Sequence, residues 1–143
     1  MSHKEFIVDG YERIIHIEHE ESGLDAFIVI HNTKLGPAIG GIRCHSYSTN
    51  TAQLDDAMRL SEGMTFKNAA AGLNHGGGKT TINALKIKDR ALAYQILGQA
   101  VEELKGSYIC AGDVGTTVED LFKVKDATDY VAGISLDSSL PTA

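Results

Sequence analysis

Two stretches near the start of the chain, residues 12–19 and 25–31, carry the β-branched and aromatic residues of strands, and Ser22-Gly23 between them predicts a hairpin turn. Pro37 with Gly36, Gly40 and Gly41 then interrupts the pattern, leaving a short extended piece through Arg43-Cys44-His45. From Thr49 the period becomes helical: Leu54, Ala57, Met58, Ser61 and Met64 recur on one side, with Asp55, Asp56, Arg59 and Glu62 between them. Thr49 or Asn50 is the expected cap. A strand follows the next glycines, over Lys79–Leu85. A second helix is predicted from about Lys88 to Lys105, with Ala93, Ile96, Leu97, Ala100, Val101 and Leu104 inward and Gly106 as its stop. Ser107–Ala111 reads as a short strand. Thr116 or Thr117 opens a third helix whose first turn carries Glu119 and Asp120. Strands alternating with helices after an initial hairpin predict an α/β domain: a mixed sheet with flanking helices.

No repeat, linker or low-complexity tract divides the 143 residues, which suffice for one domain with its own core. A net charge of −6 argues against a nucleic-acid partner, which calls for a basic patch. No apolar run approaches the length of a membrane span, and Met1-Ser2-His3-Lys4-Glu5 lacks the apolar centre of a secretory signal. Cys44 and Cys110 lie far apart without CxxC spacing, so neither a disulfide framework nor a zinc site is expected; a reducing cytoplasm suits them.

Candidate chemistry concentrates between Met64 and Lys79, where Lys67 and Lys79 stand twelve residues apart and Lys79 follows three glycines. Glycine lets a ligand or a neighbouring chain lie against the backbone. Burial disfavours an ammonium, which is how a lysine becomes a base near neutral pH. The plainer alternative is a glycine-rich turn followed by an exposed lysine. A phosphate loop fails on count, because Leu73 occupies the position that Gly-x4-Gly-Lys-[Ser/Thr] requires to be glycine. No Gly-x-Gly-x-x-Gly dinucleotide fingerprint occurs. His16 and His19, three apart on a strand, point to opposite faces and make no chelating pair; hydrogen-bonded or solvated rings are expected. Gly40-Gly41-Ile42-Arg43 is either a bent strand with an arginine paired to an acid, or a backbone shelf for a small ligand. Asp113, between Gly112 and Gly115 at a strand end, is a candidate acid/base, with a turn or helix cap as its alternative.

Four blocks stand in order: Gly36-Pro37-Ala38-Ile39-Gly40-Gly41-Ile42-Arg43, Met64-Thr65-Phe66-Lys67-Asn68, Leu73-Asn74-His75-Gly76-Gly77-Gly78-Lys79 and Gly112-Asp113-Val114-Gly115-Thr116. Together they resemble the amino-terminal domain of the glutamate/leucine/phenylalanine/valine dehydrogenases, over roughly residues 10–135. The resemblance implies NAD- or NADP-dependent oxidative deamination of an amino acid to its 2-oxo acid and ammonia, and the reverse. It implies Lys67 as the partner of the substrate α-carboxylate beside the Gly40-Gly41 backbone. Lys79 becomes the catalytic lysine that activates water, and Asp113 the proton shuttle at the amino nitrogen. Glutamate-specific members carry lysine where this chain has Ile39, so an apolar side-chain pocket is expected, with Met64 lining it, favouring leucine, valine, isoleucine or phenylalanine.

The resemblance further implies that residues 1–143 are the substrate-binding and oligomerisation domain of a homo-oligomer. The Rossmann-type cofactor domain of the family would lie outside this chain. A free-standing, non-catalytic module that binds amino or oxo acids, or that assembles, is the alternative. The chain departs from the family pattern at Thr81 and Asn83-Ala84-Leu85-Lys86, and Leu136–Pro141 is short for the loop expected there.

Overall fold

The computed structural model describes residues 1–134; the departure at Leu136–Pro141 lies outside them. Six strands form one mixed sheet: β1 (Ser2–Phe6), β2 (Arg13–His19), β3 (Leu24–Asn32), β4 (Ala38–His45), β5 (Gly76–Asn83) and β6 (Tyr108–Gly112), in the order β1-β2-β3-β5-β4-β6. β1, β2, β3 and β5 pair antiparallel in turn, whereas β4 runs parallel to both β5 and β6. Three helices complete the fold: α1 (Asn50–Ala70), α2 (Arg90–Glu103) and α3 (Val118–Lys125). The expected α/β class and mixed sheet are what the chain adopts.

Alternation along β2 and β3 divides the core between two faces. Ile14, Phe27 and Val29 meet Ala57, Leu54 and Met58 of α1. Ile15, Ile17, Ala26, Ile28 and Ile30 meet the larger cluster with Ala93, Leu97, Ala100 and Val101 of α2 and Leu121 and Val124 of α3. β3 is covered on both sides, which is why its apolar run is continuous. The predicted inward positions of α2 are all buried, Leu104 at its C-cap included. Thr49 caps α1 and Thr117 caps α3, the latter in a reciprocal capping box with Asp120.

Three expectations need correction. β1 was not foreseen: its residues are exposed throughout, so no burial pattern marks it, and its place on the edge of β2 comes from main-chain pairing. β4 is continuous rather than a fragment around residues 43–45, and β5 starts at Gly76 rather than at Lys79. The physical reason is close approach. A β-carbon at Gly77 would collide with the amide of Thr65 and lie 2.5 Å from the carbonyl oxygen of Ser61, so the bare strand lets α1 descend onto it. The glycines are strand interior, and the turn reading of that segment fails.

The buried side of α1 is correspondingly polar. Gln53 Nε2 donates to the carbonyls of Asp25 (2.9 Å) and Thr81 (3.2 Å), and Asn68 Nδ2 donates to that of Gly76 (2.8 Å). Gly77→Ala is expected to lower stability by about 1–3 kcal/mol by wedging α1 off β5, as a reduced urea midpoint at unchanged slope.

Candidate active site

α1 lies along β5 and β3 and scarcely reaches β4, so among the described residues the same face of β4 and β6 is left open. Lys79 stands where covered and open surface meet. It shares a face of β5 with Gly77 and Thr81, both of which touch α1. The β4–β5 register places Gly41 beside it. Its side chain is only 7% exposed, so the ammonium is nearly dry.

Asp113 follows β6 directly, and its carboxylate turns back over the sheet. Oδ2 lies 2.7 Å from Lys79 Nζ and accepts from Arg43 Nε at 3.2 Å. A β-carbon on Gly41 would fall 2.7 Å from Asp113 Cβ, so this glycine makes the space the aspartate occupies. Gly40 serves the opposite face, where its carbonyl accepts from the buried Tyr108 hydroxyl at 3.0 Å. Burial pushes the Asp113 carboxyl up. The hydrogen bond from Lys79, the Val114 amide and the charges of Lys79 and Arg43 outweigh it and hold the group below the usual carboxylate range. The Asp113 side chain caps no helix, since Thr117 caps α3.

Met64 and Lys67 come eight and eleven residues after Asp56 on α1, a helical spacing that keeps all three on one flank. Asp56 turns that flank toward β4, because its Oδ2 meets Arg43 at 3.5 Å. Met64 is half-buried, while Lys67 is exposed in the last turn and makes no ion pair among the described residues. Ile39 on β4, with Ile109 and Ala111 on β6, lines the open face in register with Gly77 and Gly41. All three are partly exposed. The surface next to the lysine–aspartate pair is therefore apolar.

Sequence reasoning offered an acid beside Arg43 as one alternative but missed the cluster that forms. Asp56 also accepts from the Tyr47 hydroxyl at 2.6 Å and from Arg59 at 2.7 Å. The one available signal was an acidic residue on a helix flank eight before Met64. Elsewhere, His16 Nε2 lies 2.6 Å from Asp25 Oδ1 and His19 Nδ1 lies 2.8 Å from Ser22 Oγ. His16, Glu18 and Asp25 bring their donor atoms within 4.8 Å of one another, although Asp25 is already engaged by Lys86 and Asn50. Cys44 and Cys110 are buried free thiols. No helix among the described residues is long and apolar enough to cross a membrane.

Fold and site together define a class: an α/β domain that holds a dry lysine against a carboxylate at the open mouth of a mixed sheet. The family described as "Glu/Leu/Phe/Val dehydrogenase, dimerisation domain" matches residues 11–130, and the chain belongs to it. It is 52% identical over 126 residues to a leucine dehydrogenase of Bacillus subtilis (strain 168), a match covering 87% of this chain and 35% of the relative. With a phenylalanine dehydrogenase of Lysinibacillus sphaericus it shares 42% identity over 143 residues, 95% of this chain and 38% of that protein. Among solved structures, the L-tryptophan dehydrogenase of Nostoc punctiforme superposes with a TM-score of 0.80 at 37% identity, covering 85% of this chain and 36% of the other. The chain thus spans about a third of the length of the curated relatives it matches.

Asp25, like Asp113, is held below the usual carboxylate range. Its burial opposes ionisation, but hydrogen bonds from His16, Lys86 and Asn50 overcome it. Both groups ionise near pH 4 in an unfolded chain. Their stabilisation is complete above that value and is lost as pH falls through the lower folded-state titrations. Denaturation midpoints should fall steeply below about pH 4, and Asp25→Asn should flatten that acid limb; an unchanged limb in the variant would count against the assignment.

Proposed function

We propose that this chain forms the substrate-binding half of an NAD- or NADP-dependent dehydrogenase that oxidatively deaminates an apolar amino acid to its 2-oxo acid and ammonia. The observation that carries the reading is the pairing of buried Lys79 with Asp113 beside the apolar floor of Gly41, Ile39, Ile109 and Ala111. Lys67, exposed on the α1 flank and without an ion pair among the described residues, binds the substrate α-carboxylate, with the Gly40-Gly41 backbone alongside. Lys79 activates the water that attacks the imine carbon and stabilises the charge that develops there. Asp113 exchanges protons with the substrate nitrogen. Ile39 and Met64 bound the side-chain pocket. A lone carboxylate buried against Ile39 would cost several kcal/mol, which favours leucine, valine, isoleucine or phenylalanine over glutamate.

The nicotinamide cofactor supplies the hydride acceptor when bound. Gly76, Gly77 and Gly78 make no cradle for it, because they run inside β5, packed against Asn32, Ser61, Thr65 and Tyr108. Assembly as a homo-oligomer in the cytoplasm, where both thiols stay reduced, completes the reading.

The native gene product should reduce NAD or NADP with leucine or a close analogue. Lys79→Ala should lower kcat by at least about 100-fold in a protein of unchanged circular dichroism; near-normal turnover in that variant would remove the catalytic assignment. Ile39→Lys should raise kcat/KM for glutamate relative to leucine by about tenfold or more. If no apolar amino acid is deaminated by the folded native product, the non-catalytic binding module takes the place of this reading.

A further inference from the structure

Asp113 offers its two carboxylate oxygens to different surroundings. Lys79 Nζ and Arg43 Nε both converge on Oδ2, at 2.7 and 3.2 Å. Among the described residues no side chain engages Oδ1. A carboxylate held by two cations at one oxygen cannot swing freely about its Cβ–Cγ bond without losing both contacts, so the second oxygen has a defined direction. With the side chain 21% exposed, part of the group stays accessible from the open face.

Arg43 is itself tied down. Its Nη1 meets Asp56 Oδ2 at 3.5 Å, and that same oxygen accepts from the Tyr47 hydroxyl at 2.6 Å. The other Asp56 oxygen is taken by Arg59 at 2.7 Å. A chain of contacts thus runs from the loop after β4, through α1, back to β4 and on to the end of β6. It orders Tyr47, Asp56, Arg43 and Asp113 in that sequence. The Arg43 side chain is one-quarter exposed and meets two carboxylates, so its planar fork is held between them.

The geometry points to Arg43 as the positioning residue of the proposed site: by sharing Oδ2 of Asp113 with Lys79, it assigns Oδ1 as the atom that exchanges the proton with the substrate nitrogen. This rests on the amino-acid dehydrogenase reading given above. In the deaminating direction an N–H bond of the substrate breaks as an O–H bond forms at Oδ1. The same proton returns to nitrogen when ammonia leaves, so Asp113 ends as it began. Arg43 neither gains nor loses a proton and touches no reacting atom.

Among the described residues the charged and titratable groups facing Asp113 are few. Lys79 comes from β5 and Arg43 from β4, with Asp56 of α1 and Tyr47 behind Arg43 and Tyr108 beneath the sheet. Lys79, the Val114 amide and Arg43 favour its ionised form, and removing one leaves burial less opposed.

The test uses the native gene product with Arg43→Lys, which keeps a positive charge but loses Nε. For that variant kcat should fall about 10- to 100-fold while KM for the amino acid changes little, since Lys67 and the Gly40 backbone are untouched. The acid limb of kcat/KM should move to higher pH. In the 143-residue chain labelled with 13C at aspartate carboxyls, the Asp113 signal should titrate at higher pH than in the wild type. Tyr47→Phe, which removes one hydroxyl from the far end of the chain of contacts, should move both readouts the same way by less. It also decides the matter if Arg43→Lys does not fold. Unmoved pH profiles and an unmoved Asp113 signal, in a protein that Lys79→Ala inactivates, would overturn the role of Arg43 and leave the catalytic reading standing. If Lys79→Ala is active instead, the catalytic reading fails first, and the carboxyl titration alone still reports whether Arg43 holds Asp113.

Discussion

The seating of α1 on β5 governs the rest of the molecule. Side chains normally fill the gap between a helix and the sheet it packs on. Here Gly77 contributes none, so Ser61 and Thr65 rest on the strand backbone itself. That contact shields the stem of Lys79, brings Asp56 within reach of Arg43 and leaves β4 and β6 open beyond the helix. An ordinary side chain at residue 77 would lift the helix and loosen every one of these relations at once.

Much of this was legible in the chain. The α2 stripe, the Thr117 cap and the hairpin at Ser22-Gly23 follow from periodicity and local chemistry, since each depends on residues near one another in sequence. The glycine segments were misjudged for the opposite reason. Gly40, Gly41, Gly76 and Gly77 look like breakers by propensity, but their role is set by what packs against them from 30 or more residues away or from another element, which no local pattern records. β1 was invisible because an exposed edge strand has no buried face to advertise.

The site divides the same way. Lys79 and Asp113 each stood out by their glycine neighbours, yet only the β5-β4-β6 order brings residues 34 apart in sequence to 2.7 Å. The family resemblance named both, and the topology supplies the geometry that makes a pair of them. Arg43 could be read as a partner of some acid, but not of which one. The choice of Asp113 and Asp56 belongs to tertiary structure, since it joins a strand, a helix flank and the turn after β6.

The polar underside of α1 has a mechanical consequence. Gln53 and Asn68 bind sheet carbonyls fifteen residues apart, about 22 Å along the helix axis. An apolar interface resists separation but offers little against sliding, because greasy contacts made in one register are replaced by similar ones in the next. Three directional bonds, from side chains near opposite ends, forbid that exchange, since any axial creep breaks them together. The helix is pinned lengthwise like a beam bolted at each end, and whatever force is applied to its exposed tip at Lys67 passes to the whole sheet.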